Sequence, residues 1–174
     1  QGFEVVEVSS DDYYHNKARM NDCGEIVFNI HAFVPELPEV LYYDNGMLVA
    51  LTDDDIANAY PDINGRGAIT WTRDPDGNGH GEIWVLDDHS PRKLGSGVDS
   101  SINNHGACVW ALTDEQTCAF ETAVFRSENG SISQISDFEL ANQSARINDL
   151  GQIVWARYDF TSCIVFDWTS KIML

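Results

Sequence analysis

The sequence predicts an all-β fold of four blades arranged as a propeller, and three observations carry that prediction. One eleven-residue pattern recurs four times, as ARMNDCGEIVF (18–28), PDINGRGAITW (61–71), SSINNHGACVW (100–110) and ARINDLGQIVW (145–155). Each copy is followed by a β-rich run, a polar turn and a second apolar run: VLYYDNGMLVAL (40–51), EIWVLDDHSPRKL (82–94), TAVFRSENGSISQI (122–135) and CIVFDWTSKIML (163–174). No stretch carries the helical period of an amphipathic helix.

Within the pattern an apolar residue precedes Asn, two variable residues and Gly follow, and two mostly apolar positions lead to an aromatic. Asn21, Asn64, Asn103 and Asn148 are separated by 43, 39 and 45 residues. Gly supplies the positive φ of a turn and Asn hydrogen-bonds nearby backbone, so this piece reads as a tight corner entering a strand. The following runs, rich in Val, Ile, Trp, Phe and Tyr and broken by N-G, D-D or S-K turns, are hairpin signals. Each repeat thus supplies three strands, and the stretch leading to the next Asn can supply a fourth, the content of a propeller blade. Phe28, Trp71, Trp110 and Trp155 fall at equivalent positions. They are expected to pack between neighbouring blades rather than to form an aromatic ring that stacks a sugar or holds a cation. Trp84 and Trp168 are less regular and are expected to be partly exposed.

The chain of 174 residues reads as a single domain, 1–174, with repeats near 18–60, 61–99, 100–144 and 145–174 plus 1–17. The run FEVVEV (3–8) has nothing of its own to pair with, and the fourth repeat stops short in its outer strand. Pairing of residues 3–8 with residues 163–174 is therefore expected to close a four-bladed ring and hide two strand edges. The same logic permits two chains to form one eight-bladed ring.

The core Ile147, Asn148, Asp149, Gly151, Gln152, Ile153, Val154 and Trp155 resembles the repeat of bacterial extracellular propellers, HAF-type and TolB-like repeats among them. Phe28 in place of Trp and Met20 in place of Ile are departures in the first copy. The resemblance implies a propeller, commonly exported and commonly used for binding.

Charge and cysteine usage narrow the function classes. Acidic residues outnumber basic ones 28 to 10, giving −18 spread along the whole chain, a field that repels nucleic acid and anionic membranes. No apolar run approaches the eighteen or so residues of a membrane span. The chain starts at Gln1 without Met and without the features of a secretory signal, which fits a cleaved leader, and an exported protein is expected. Cys23, Cys108, Cys118 and Cys163 include no C-x-x-C pair, which argues against a zinc ribbon and a thioredoxin-type motif. Cys108, in the run ACVWAL, is expected to be a small buried hydrophobe, leaving Cys118 and Cys163 as the pair to suspect of a disulfide.

The sharpest local signal is Asp74-Pro-Asp76-Gly77-Asn78-Gly79-His80-Gly81-Glu82. Oxygen-bearing side chains at alternate positions followed by Gly reproduce the first half of a calcium loop. Asp74, Asp76, Asn78, His80 through its backbone carbonyl, and Glu82 are the candidate Ca2+ ligands. The twelfth position of such a loop is Val85 instead of Glu, so the same residues read equally as a Gly-rich acidic hairpin without metal. No other cofactor is expected.

No catalytic set is recognisable. The chain has no G-x-S-x-G elbow, no phosphate-cradling Gly loop with Lys and no metalloprotease helix motif, and His15, His31, His80, His89 and His105 show no metal-ligand spacing. The expected function is a non-enzymatic binding or interaction module for a small molecule, glycan or protein, working as a monomer or homodimer. The alternative is a carbohydrate hydrolase or lyase using acidic residues in the propeller mouth.

Overall fold

The computed structural model describes residues 7–9, 13–31, 37–77, 79–87, 90–113, 121–138, 140–159 and 169–173. Among them lie fifteen strands and no helix. They are β1 (Tyr14–Met20), β2 (Ile26–His31), β3 (Glu39–Asp44), β4 (Met47–Ala50), β5 (Ala57–Ile63), β6 (Ile69–Asp74), β7 (Glu82–Leu86), β8 (Pro91–Ser96), β9 (Val98–Ile102), β10 (Cys108–Thr113), β11 (Thr122–Glu128), β12 (Ser131–Gln134), β13 (Ala141–Ile147), β14 (Ile153–Asp159) and β15 (Thr169–Met173). They form four antiparallel meanders in chain order: β1-β2-β3-β4, β5-β6-β7-β8, β9-β10-β11-β12 and β13-β14-β15. The strand leading to each Asn is the inner strand of the sheet that follows, not the outer strand of the one before.

The corner between the first two strands of every sheet is built identically. The Oδ1 of Asn64 accepts from the amides of Arg66 (2.9 Å) and Ala68 (3.0 Å), and Asn21, Asn103 and Asn148 do the same two and four residues on. The glycine closing each corner, Gly24, Gly67, Gly106 or Gly151, has φ between 75 and 85° and donates its N–H to the Asn carbonyl. That conformation carries no steric cost for glycine, so the Asn-x-x-Gly spacing follows from the turn.

Each inner strand then carries a bulge at the same place. Two of its residues oppose one residue of the second strand, and that single residue is the repeat aromatic: Lys17 and Ala18 oppose Phe28, Tyr60 and Pro61 oppose Trp71, Asp99 and Ser100 oppose Trp110, and Ser144 and Ala145 oppose Trp155. The extra residue bends the inner strand around the large ring. The aromatic is anchored by the residue six before the Asn. Trp71 Nε1 donates to Asn58 Oδ1 (3.1 Å) and Trp155 Nε1 to Asn142 Oδ1 (2.9 Å), while Phe28, lacking an N–H, meets the His15 ring at 5.4 Å. In the third sheet that place is Gly97, and the Trp110 indole fills it: a Cβ there would lie 2.3 Å from the ring. Trp110 Nε1 donates to the Ser96 carbonyl instead (2.8 Å).

Three hydrophobic clusters join the sheets in sequence. Val27 and Val40 of the first sheet pack on Ile63, Ile69 and Trp71 of the second; Ile83 and Val85 on Ile102, Cys108 and Trp110; Val109 and Val124 on Ala145 and Ile147, with Ile153 and Trp155 alongside. Trp71, Trp110 and Trp155 thus pack between neighbouring sheets as expected, while Phe28 is buried against His15 of its own sheet, and Cys108 is a buried thiol whose pKa burial pushes up to about 12. Trp84 is half-buried, and Trp168 lies outside the described residues. Inner strands β1 and β5, β5 and β9, and β9 and β13 lie against one another, but among the described residues no comparable packing joins β13 to β1. Closure of the ring is not detected. The strand pairing expected to make it, residues 3–8 with 163–174, falls largely outside the described residues, as do Cys118 and Cys163.

Candidate functional site

The four inner strands lie in series, β1 against β5, β5 against β9 and β9 against β13, and the first residue of each bulge stands in the left-handed region. Lys17 has φ 55°, Tyr60 55°, Asp99 53° and Ser144 55°. None is glycine, so each holds a backbone conformation that costs on the order of 1 kcal/mol or more. All four line one cavity of about 570 Å³, together with Thr72, Asp74 and Gln143 among others. The scaffold repeats the backbone four times and varies the side chain each time: an ammonium, a phenol, a carboxylate and a hydroxyl.

The charged members of this set are held in place. The Lys17 Nζ sits 4.9 Å from the centre of the Tyr60 ring, a cation–π contact. Asp99 pairs with Arg146 of the neighbouring inner strand at 3.1 Å, and its backbone amide donates to Thr72 Oγ1 (3.1 Å). Asp74 takes the Gly79 amide on Oδ2 at 2.9 Å, while its Oδ1 is buried without a hydrogen-bond partner. Walls of Ala57, Ala59, Val98 and Ala111 complete the lining with small apolar groups. The result is a concave, mixed-polarity surface suited to fixing a ligand's orientation by a few polar contacts.

At the opposite end the corners surround a shallower depression of about 250 Å³. Here the asparagines link the sheets. Asn21 Nδ2 donates to the Asn64 carbonyl (2.9 Å), Asn64 Nδ2 to that of Asn103 (2.8 Å), and Asn103 Nδ2 to that of Asn148 (3.0 Å). Beside this ladder runs a second one through the next residue along. The Gly65 amide donates to Asn104 Oδ1 (2.6 Å) and the Asn104 amide to Asp149 Oδ1 (2.8 Å).

The acidic loop borders the wide cavity through Asp74, Gly79 and Gly81. Its candidate ligands are distributed as follows. Asp74 ends β6 and caps the loop; Asp76 and His80 are exposed; Asn78 lies outside the described residues. Glu82 opens β7 with its carboxylate bound by Lys93 Nζ (2.8 Å) and Trp84 Nε1 (2.9 Å), and these two donors hold its pKa below the ordinary carboxylate value. Among the described residues no three His, Cys, Asp or Glu side chains gather closely enough to hold a metal ion. Glu39, outside the cavity, is raised by burial and spends its carboxylate on Thr52, Asn58 and the Asp54 amide, fixing the link between the first two sheets.

The sequence pointed to the loop and missed the bulges. Lys, Tyr, Asp and Ser share no residue type, so the equivalent position is visible only once each aromatic is known to face two residues.

No protein-family model matches the chain, and no curated protein sequence does either. Solved structures do. TolB from Acinetobacter baumannii is 17% identical over 95% of this chain and 44% of its own, with a TM-score of 0.62. A putative TolB from Agrobacterium tumefaciens is 12% identical over 86% and 56%, with a TM-score of 0.63. An acylaminoacyl peptidase from Pyrococcus horikoshii is 13% identical over 85% and 24%, with a TM-score of 0.58. The fold is that of a β-propeller. This propeller chain spans about half the length of the TolB structures it matches, and the likeness is one of fold. Among the described residues no helix is long and apolar enough to cross a membrane.

Proposed function

We propose that this chain is a non-enzymatic recognition module that binds a small molecule, a glycan or a protein segment in the cavity framed by the inner-strand bulges. One observation carries the reading: four equivalent, strained backbone positions present four different side chains, Lys17, Tyr60, Asp99 and Ser144, to a single cavity. Strain kept at four places in a repeated scaffold while the side chain varies is the signature of a surface selected for what it contacts. Export belongs to the same reading and is supported by the propeller likeness to TolB and by the acidic surface.

The experiment is a thermal-shift panel of glycans, small metabolites and peptides against the wild type, followed by Tyr60→Ala and Asp99→Asn. Ligands that stabilise the wild type are expected to lose at least about tenfold in affinity in one variant or both. Binding that survives both substitutions unchanged places the site elsewhere. Release of cleaved products from a bound glycan turns the reading into that of a carbohydrate-active enzyme.

A further inference from the structure

Cations are scarce in this chain, and most of them are already paired. Lys and Arg number 10 against 28 Asp and Glu, and all ten positions fall among the described residues. Seven of the ten make ion pairs with carboxylates of the chain. Two carboxylates line the cavity, Asp74 and Asp99, and only one of them has a cation. Asp99 has Arg146 at 3.1 Å. Arg73, next to Asp74 in β6, spends its guanidinium on Asp54 (2.8 Å) and on the Trp84 ring (5.4 Å). Lys17 stands over the Tyr60 ring, Arg66 lies in the corner at the far end of β6, and Lys171 belongs to β15. Asp74 is left with the Gly79 amide on Oδ2 (2.9 Å) and with an Oδ1 that is buried and has no donor.

The surroundings of this carboxylate have a definite shape. In the β5–β6 ladder Ala57 stands opposite Asp74 and Ala59 opposite Thr72, so these four side chains share one face of the second sheet. That face carries a carboxylate at the strand end, a hydroxyl beside it and a floor of two methyl groups, and all four residues line the cavity. Space adjoins the carboxylate: a Cβ on Gly79, whose amide caps Asp74, would meet nothing within 4 Å. Asp74 sits at the joint between the second and third sheets, with a sheet of this chain on either side, so its environment is set by the chain's own residues.

We infer that the cavity receives a primary ammonium group on an aliphatic stem, the group carried by a lysine side chain or a peptide N-terminus, with the ammonium against Asp74 and the stem on Ala57 and Ala59. The inference rests on the cavity being the recognition site and names what that site selects. A half-buried carboxylate without a cation is costly, and an incoming ammonium supplies both the charge and the donors. A guanidinium fits less well, because its planar fork calls for both carboxylate oxygens and Oδ2 is already engaged by Gly79. A hard metal ion fits worse: calcium takes six to eight oxygens, and among the described residues no three His, Cys, Asp or Glu side chains gather here. The net charge of −18 raises the local concentration of any cation at the mouth, and the Asp74 face then sorts cations by shape.

The test is calorimetric titration of the full chain with four probes: N-acetyl-lysine methylamide, norleucine methylamide, N-acetyl-arginine methylamide and N-acetyl-norleucine methylamide. The first two carry the ammonium on a side chain and at an N-terminus, and the stronger of them identifies the source. The third offers a guanidinium, and the fourth offers the stem without charge. At least one ammonium probe is expected to bind, and to do so at least about tenfold more tightly than the arginine and acetyl-norleucine probes. This ranking on the wild type needs no substitution. Asp74→Asn keeps an oxygen for the Gly79 amide and is expected to cost the ammonium probe at least about tenfold in affinity. Asp55→Asn, the same change of charge at an exposed position, is expected to cost less than about twofold. Absence of binding by both ammonium probes, or equal losses in the two variants, overturns the inference. An arginine or acetyl-norleucine probe that binds, weakens in Tyr60→Ala and ignores Asp74→Asn overturns the ammonium inference alone and leaves the cavity reading standing. An ammonium probe indifferent to both Tyr60→Ala and Asp74→Asn sinks the two together. A melting temperature raised by calcium in the wild type but not in Asp74→Asn assigns the carboxylate to a metal and overturns the inference as well.

Discussion

The Asn64 side chain makes three hydrogen bonds, two inside its own corner and one to the next sheet, and it is buried. Replacing it by Ala strands the Arg66 and Ala68 amides, each at a cost of about 1 kcal/mol or more, and removes one of the two donors that the Asn103 carbonyl receives, the Gly106 amide being the other. Asn148 caps its corner in the same way but sends its amide arm back to Gln152 at the surface. Asn64→Ala is therefore expected to lower the melting temperature clearly more than Asn148→Ala, by a margin of about 1–2 kcal/mol in unfolding free energy. Equal losses would mean that the inter-sheet arm is energetically silent. The corner was legible in the sequence because its chemistry is local: Asn and Gly act within five residues of one another. The inter-sheet arm was not, since nothing in the sequence shows that an amide will meet a carbonyl 39 to 45 residues away. Asn58 and Asn142 left a partial signal, six before the motif Asn in two repeats, but His15 and Gly97 at the other two obscured it.

At the scale of the strand, the bulge couples stability to recognition. Ser144 holds φ 55° on the exposed side of β13, and glycine adopts that conformation without strain. Ser144→Gly is expected to stabilise the chain by about 0.5 kcal/mol while removing one side chain from the cavity, a small instance of stability traded for function. A loss of stability would show that the Ser144 hydroxyl, not the backbone, governs the position. The hairpin that opens with Glu82 responds to acid. Lys93 and Trp84 keep the Glu82 pKa below its unfolded value, so the group stabilises the fold at neutral pH and that contribution is lost as pH falls through the folded value. Glu39, raised by burial, works in the opposite sense: its contribution is present below the unfolded carboxylate value and is lost as pH rises through the folded one. Glu82→Gln is expected to flatten the fall in melting temperature between about pH 5 and pH 3. An acid limb identical to that of the wild type would assign the sensitivity to other carboxylates.

For the whole molecule, the number and order of sheets were readable from the spacing of the motif, because a repeat that cannot bury both faces alone must stack on its neighbours. The position of the cavity was not readable. It depends on where four inner strands converge, and their bulges carry unrelated residues. The acidic excess drew attention to Asp74 through Glu82, whereas the cavity concentrates a mixed set, Lys17 and Asp99 among them, that net charge does not reveal.

The asparagine ladder also has a direction: each unit gives a hydrogen bond and the following unit receives it. A stack with such polarity can be lengthened or shortened by whole units without changing the chemistry of any remaining joint. Duplication or loss of one unit within a gene is thus close to neutral for the corners. The corner specifies how units join and leaves their number free.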